Sequence, residues 1–114
     1  MQSPCIPKRI FYVFGVSSQK VRGEHAHKKC HQFLVALSGS VNIVLDDGEN
    51  SQEVQLNRAS KGILMPAGIW GTQYKFSNDS ILAVFCSHSY DTNDYIRDYQ
   101  DFISRKIHNH DTSK

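Results

Sequence analysis

Cysteine is scarce in this chain. Cys5, Cys30 and Cys86 are the three among 114 residues, an odd set without the paired short spacing of a zinc site. This argues against a disulfide-stapled secreted scaffold and fits free thiols in a reducing cytoplasm. Apolar stretches are short as well. The longest, Ile81-Leu82-Ala83-Val84-Phe85-Cys86, falls far below the roughly 20 residues that a membrane-crossing helix needs. Met1-Gln2-Ser3-Pro4-Cys5 is not a basic segment followed by an apolar one, so no secretory signal is expected. Nor does either charge dominate. Thirteen basic and 11 acidic residues leave a net charge of +2, spread along the chain, whereas a nucleic-acid surface calls for a denser basic face.

The composition is that of an ordinary soluble globular protein, 39% hydrophobic and 21% charged. The length suits one domain with one core. A single domain over 1–114 is expected, with its core at 7–106 and a frayed polar tail at 107–114. The pattern is mostly strand. Arg9 to Phe14 is rich in β-branched and aromatic residues and breaks at Gly15. Further strands are expected at 24–28, 32–37, 41–45, 52–56, 62–65, 70–76 and 81–85. Asp46-Asp47-Gly48 marks a hairpin, because Asp and Gly tolerate the positive φ of such turns. About eight short strands at regular spacing imply an all-β antiparallel sandwich or small barrel. Near the end the period changes. Tyr95, Ile96, Tyr99, Phe102 and Ile103 recur at helical spacing, with Thr92 or Asn93 as cap. A C-terminal α-helix over about 93–106 follows. His108 and His110 then read as part of a solvated tail.

The densest chemistry lies in Arg22-Gly23-Glu24-His25-Ala26-His27-Lys28. Two imidazoles at n and n+2 share one face of a strand. Such a pair can grip a metal or move protons. Eight strands with an H-x-H resemble the cupin fold, whose metal pattern ends H-x-H-x(3,4)-E-x(6)-G and then P-x-G-x(2)-H. His25 and His27 fill the first two ligand positions. Gln32 stands at the carboxylate position, and after Pro66-Ala67-Gly68-Ile69-Trp70 the last ligand position is Gly71. A neutral amide and a glycine do not hold a divalent cation as a carboxylate and an imidazole do. His31 is a possible substitute, but it neighbours Gln32 on an alternating strand, so only one of the two faces the cavity. No metal is expected. Two histidines beside Arg22 and Lys28 form a costly cluster unless a ligand uses it. Trp70, a strand aromatic, is a candidate for core or for ligand stacking.

A longer set of residues narrows the resemblance. It comprises Arg22-Gly23-x-His25-Ala26-His27-Lys28, Gln32, Leu37-Ser38-Gly39-Ser40, Leu45-Asp46-Asp47-Gly48, Pro66-x-x-x-Trp70 and Tyr90-Asp91-x-x-Asp94-Tyr95-Ile96-Arg97-Asp98-Tyr99-x-x-Phe102. Together these resemble the cupin-type sugar-nucleotide 3,4-ketoisomerases, from about Pro7 to Phe102. The resemblance implies a cupin-type β-barrel or jelly roll with a C-terminal helix. It implies a cytoplasmic isomerase of deoxysugar and polysaccharide biosynthesis that acts on a dTDP-linked 4-keto-6-deoxy sugar. No cofactor is implied, and a homodimer is. His25 would be the base that removes the C3 proton, and His27 would relay a proton or stabilise charge. Arg22 and Lys28 would contact an oxyanion or the diphosphate, and Tyr12 would contact a sugar hydroxyl or relay a proton. Gln32 and Trp70 complete the expected substrate-binding set. The family's preceding strand with a D-x-R-G element finds no match before Pro7. Phe11 stands where many members have a second tyrosine, and Gly71-Thr72 replaces a more polar pair. A catalytically silent sugar-nucleotide-binding module is the alternative, and a metal-dependent cupin enzyme is the third reading.

Overall fold

The computed structural model describes residues 6–112. Expectations for Cys5, and for the side chains of His108 and His110, fall outside what it describes. Nine strands and one helix follow in order: β1 Arg9–Phe14, β2 Arg22–His27, β3 Gln32–Ser38, β4 Val41–Asp46, β5 Ser51–Leu56, β6 Gly62–Met65, β7 Trp70–Tyr74, β8 Ile81–Cys86, β9 Tyr95–Ile96 and α1 Tyr99–Thr112. They build two antiparallel sheets, β1-β8-β3-β6 and β5-β4-β7-β2-β9. This is the all-β architecture expected of a cupin-type barrel with a C-terminal helix.

Alternation decides which side chains meet between the sheets. Val13, Leu34, Ala36, Val41, Ile43, Leu56, Phe76, Leu82 and Val84 are buried together there. The β4–β5 hairpin turns at Gly48, whose φ is +99°. Asp46 Oδ1 accepts from the Gly48 amide at 2.7 Å, and Asp47 Oδ1 from Glu49 and Asn50. Each acid thus satisfies the turn it begins.

A second, smaller core lies on the outer face of the five-stranded sheet. Ala26, Trp70 and Ile96 are covered there by Phe102 and Ile103 of α1. The helix starts at Tyr99 rather than near 93. Asp91 caps a 3-10 turn over Thr92–Asp94 by accepting from the Asn93 amide. Tyr95 and Ile96 then pair in register with His27 and Ala26. Ile96 and Phe102 therefore reach one cluster, but from a strand and a helix respectively. Asp98 begins the helix, its Oδ1 accepting from the Gln100 amide at 3.1 Å. The helical backbone runs on to Thr112.

Among the described residues, nothing comparable covers the outer face of the four-stranded sheet. Phe11 and Val13 of β1 face the core, while Ile10, Tyr12 and Phe14 are 49%, 57% and 71% exposed. Within one chain, β1 therefore buries only one of its faces.

Candidate active site

β2 turns His25 and His27 inward and Ala26 outward, beneath the helix. The two imidazoles meet edge to face, with ring centroids 5.0 Å apart. β9 adds a third ring. Tyr95, opposite His27 in the ladder, lies 4.4 Å from that imidazole and 5.0 Å from His25. Two guanidiniums hold the phenol. Arg97 stacks 4.2 Å over its ring, and Arg9 Nη1 donates to its Oη at 3.4 Å. Arg9 is itself stacked against Phe11 at 4.5 Å and Tyr90 at 4.9 Å. Among the described residues, neither arginine has a carboxylate partner; the ion pairs are His27–Asp94 and Arg105–Asp101.

Asp94 anchors this end of the barrel. Its Oδ2 accepts from His27 Nδ1 at 2.9 Å and from the Cys30 amide at 3.2 Å, and its Oδ1 from the Lys29 amide at 2.8 Å. Burial opposes its ionisation, but these hydrogen bonds outweigh that and hold the carboxyl below its ordinary range. Burial also lowers the pKa of both histidines. For His25, burial, the neighbouring His27 and Arg97 bring it down to about 4. For His27, burial dominates and Asp94 partly restores the protonated form. Both rings are neutral at pH 7. The Nε2 of His27 is buried and has no hydrogen-bond partner.

Behind the imidazoles is a cavity of about 10 Å³ lined by His25, His27, Gln32, Met65 and Gly71. That is close to the smallest space that holds a single water. A groove of about 450 Å³ runs along the same end, past Tyr90, Asp94, Lys8, Lys29 and His88.

The cupin metal pattern does not fit these residues. A side chain at Gly71 would begin 2.9 Å from Met65 Cε, so the methionine fills the place of the last imidazole. Gln32 is buried, with its amide donating to Cys86 Sγ at 3.6 Å. His31 faces outward and accepts from the Ala67 amide through Nδ1. Elsewhere, His27, Cys30 and Asp94 bring ligand atoms within 4.8 Å of one another. Asp94, however, already accepts three hydrogen bonds, one of them from His27.

Of the residues singled out by sequence, His25, His27 and Gln32 come together at the cavity. Tyr12 lies on the outer face of the opposite sheet. Arg22 and Lys28 are exposed at the two ends of β2. Trp70 is buried under α1, with Tyr99 at 5.2 Å and Phe102 at 5.6 Å, and does not line the cavity. Arg9, Asp94, Tyr95 and Arg97 were not singled out as site residues. The last three belong to the string that carries the family resemblance, yet no spacing rule places Asp94 beside a histidine 67 residues earlier.

Comparison with known proteins identifies relatives of this chain. The family described as "FdtA: WxcM-like, C-terminal" matches residues 1–107. A TDP-4-oxo-6-deoxy-alpha-D-glucose-3,4-oxoisomerase of Aneurinibacillus thermoaerophilus is 41% identical over 95 residues, covering 83% of this chain and 68% of the relative. Among solved structures, the TDP-fucose-3,4-ketoisomerase WlaRA of Campylobacter jejuni superposes with a TM-score of 0.87 at 39% identity, over 90% of this chain and 76% of that one. A mutant of the 3,4-ketoisomerase QdtA from Thermoanaerobacterium thermosaccharolyticum, in complex with TDP-4-keto-6-deoxyglucose, gives 0.86 at 35% identity, over 88% and 72%.

Proposed function

The chain belongs to the FdtA-type family of TDP-sugar 3,4-ketoisomerases, and on that premise we propose how its own residues move the carbonyl of a TDP-4-keto-6-deoxyhexose from C4 to C3. It is an isomerase, and the chemistry is proton transfer. The C4 ketone acidifies the C3 proton. A base removes it, an enediolate forms, and reprotonation at C4 leaves the ketone at C3.

His25 is the base. The observation that carries this reading is its place: a neutral, partly exposed imidazole on β2, with His27 and Tyr95 against it. His27 lies deeper and serves as the relay that returns a proton toward C4. Arg9 and Arg97, stacked on aromatic rings and free of carboxylates, suit the diphosphate and the enediolate oxygen. They take the anion-binding role that sequence alone gave to Arg22 and Lys28. Substrate binding also tunes the base. A diphosphate on Arg97 offsets one of the charges that depress the His25 pKa, and so strengthens the base when the substrate is present.

Incubation with dTDP-4-keto-6-deoxyglucose in deuterium oxide, followed by NMR of the sugar, tests the proposal. The expected result is a 3-keto product carrying solvent deuterium, whose C4 configuration the same spectrum reads. His25→Asn should still bind the nucleotide but lose C3 exchange by about 10²–10⁴-fold. Binding without exchange in the wild type would favour the silent sugar-nucleotide-binding module.

Two further readings accompany this one. The uncovered apolar face of the four-stranded sheet supports a homodimer. The buried free thiols Cys30 and Cys86 support a cytoplasmic, reducing compartment.

A further inference from the structure

We propose that Asp94 is a positioning residue that fixes the tautomer of His27, holding the proton on Nδ1 and leaving Nε2 as the bare nitrogen that exchanges protons in the reaction. The inference rests on the isomerase reading above and extends it to a residue that acts through His27.

Three observations carry it. First, Asp94 Oδ2 and His27 Nδ1 are 2.9 Å apart. An ionised carboxylate only accepts hydrogen bonds, so Nδ1 must bear the hydrogen, and a neutral ring then has none on Nε2. Second, the carboxylate cannot turn away. The amides of Lys29 and Cys30 donate to its two oxygens at 2.8 and 3.2 Å, and the Lys28 amide donates to the Asp94 backbone carbonyl at 2.9 Å. The chain just after β2 thus grips the residue that orients a side chain within β2. Third, His27 is 6% exposed, yet its Nε2 has no partner. An unsatisfied buried nitrogen is destabilising, and its cavity face has room for little more than one water. A purely structural histidine would have both nitrogens bonded. This one keeps an acceptor open on the side where His25 and Tyr95 stand.

The arrangement also supports the charged state of the cycle. When Nε2 takes up a proton, the imidazolium keeps its Nδ1–H on an anionic carboxylate. His25 has no carboxylate neighbour of that kind; its charged form is opposed by His27 and Arg97. The two histidines are therefore inequivalent, with His27 the better able to carry a positive charge while a proton is in transit.

The direct test is ¹⁵N–¹H NMR of the His27 imidazole in the wild-type protein at neutral pH, assigned with His27→Gln. We expect the Nδ1–H tautomer with an unprotonated Nε2; an Nε2–H tautomer would overturn the proposal. This measurement needs neither substrate nor a variant of Asp94, so it separates failure of the dyad from failure of the isomerase reading. Asp94→Asn supplies the second test. The amide leaves Nδ1 with a neutral partner that can also donate, so the tautomers should mix. Turnover should fall at least tenfold with KM nearly unchanged, while C3 exchange through His25 is retained. The limb of the kcat–pH profile that reports His27 should move to lower pH, since the group that raises its pKa is gone. Asp94→Glu should restore part of the turnover. An Asp94→Asn protein with wild-type tautomer and pH profile would refute the assignment. If Asp94→Asn does not fold, the wild-type spectrum decides alone.

Discussion

The neutral imidazole at position 25 makes stability depend on pH. Burial, aided by His27 and Arg97, lowers its pKa from 6.5 to about 4 in the folded chain. Between those values the unfolded chain binds a proton here that the folded chain does not. Stability from this site is complete above pH 6.5 and is lost as pH falls toward 4. His27, also lowered, adds to the loss with the same sign. We therefore expect the urea midpoint to drop between pH 7 and pH 5, and to drop less in His25→Gln. An equal drop in both proteins would mean that His25 is not the titrating group. The histidine pair itself was visible in the sequence, because n and n+2 must share a strand face. What the sequence hid was the company the pair keeps. Tyr95 and Asp94 arrive from the far end of the chain, and only β9 pairing with β2 brings them in. Trp70 shows the converse: a strand aromatic is equally compatible with a cavity and with a helix contact, and parity assigns it to the helix.

At the scale of elements, β1 to β8 lie within a residue or two of their expected bounds. Alternation over a half-buried sheet leaves little freedom of register. The boundary between β9 and α1 was not legible. Tyr95, Ile96, Tyr99, Phe102 and Ile103 match one helical face, and nothing local shows that the first two are claimed by β2. The helix itself depends on tertiary contacts, since its hydrophobic anchors are few. Phe102 is 1% exposed between Trp70 and Tyr99. Phe102→Ala should cost about 3–5 kcal/mol, the usual range for a buried phenylalanine. Trp70 is the single tryptophan, so its fluorescence reports the same event. Emission should shift to the red as α1 loosens, at denaturant concentrations below the main transition. Unchanged emission would show that the helix is held by other contacts.

Across the whole molecule, the two sheets differ in how their outer faces are covered. The five-stranded sheet has α1 across it. The four-stranded sheet presents Ile10, Tyr12 and Phe14 of β1, Ile81 of β8, Leu37 of β3 and Leu64 of β6 to solvent, with Phe33 and Phe85 stacked at its centre. A contiguous apolar face of this kind supports the homodimer proposed above. A second copy of the same face would cover it by a two-fold axis. Sedimentation equilibrium should give a dimer at tens of micromolar, and Phe14→Glu, which sets like charges near that axis, should shift it toward monomer. A wild-type monomer would rule out the homodimer. A variant that stays dimeric would move the interface elsewhere.

β9 has one more consequence. It is two residues long, lies at the edge of its sheet, and meets β2 only through Ala26 and His27. So short a ladder adds little stability of its own, and the hydrogen bonds of Asp94 to the chain just after β2 carry much of the attachment. Arg9 on β1 and Arg97 just past β9 both contact Tyr95. An anion bridging them would draw the two sheet edges together. The ligand would then reinforce a seam that the Arg9–Tyr95 hydrogen bond already begins.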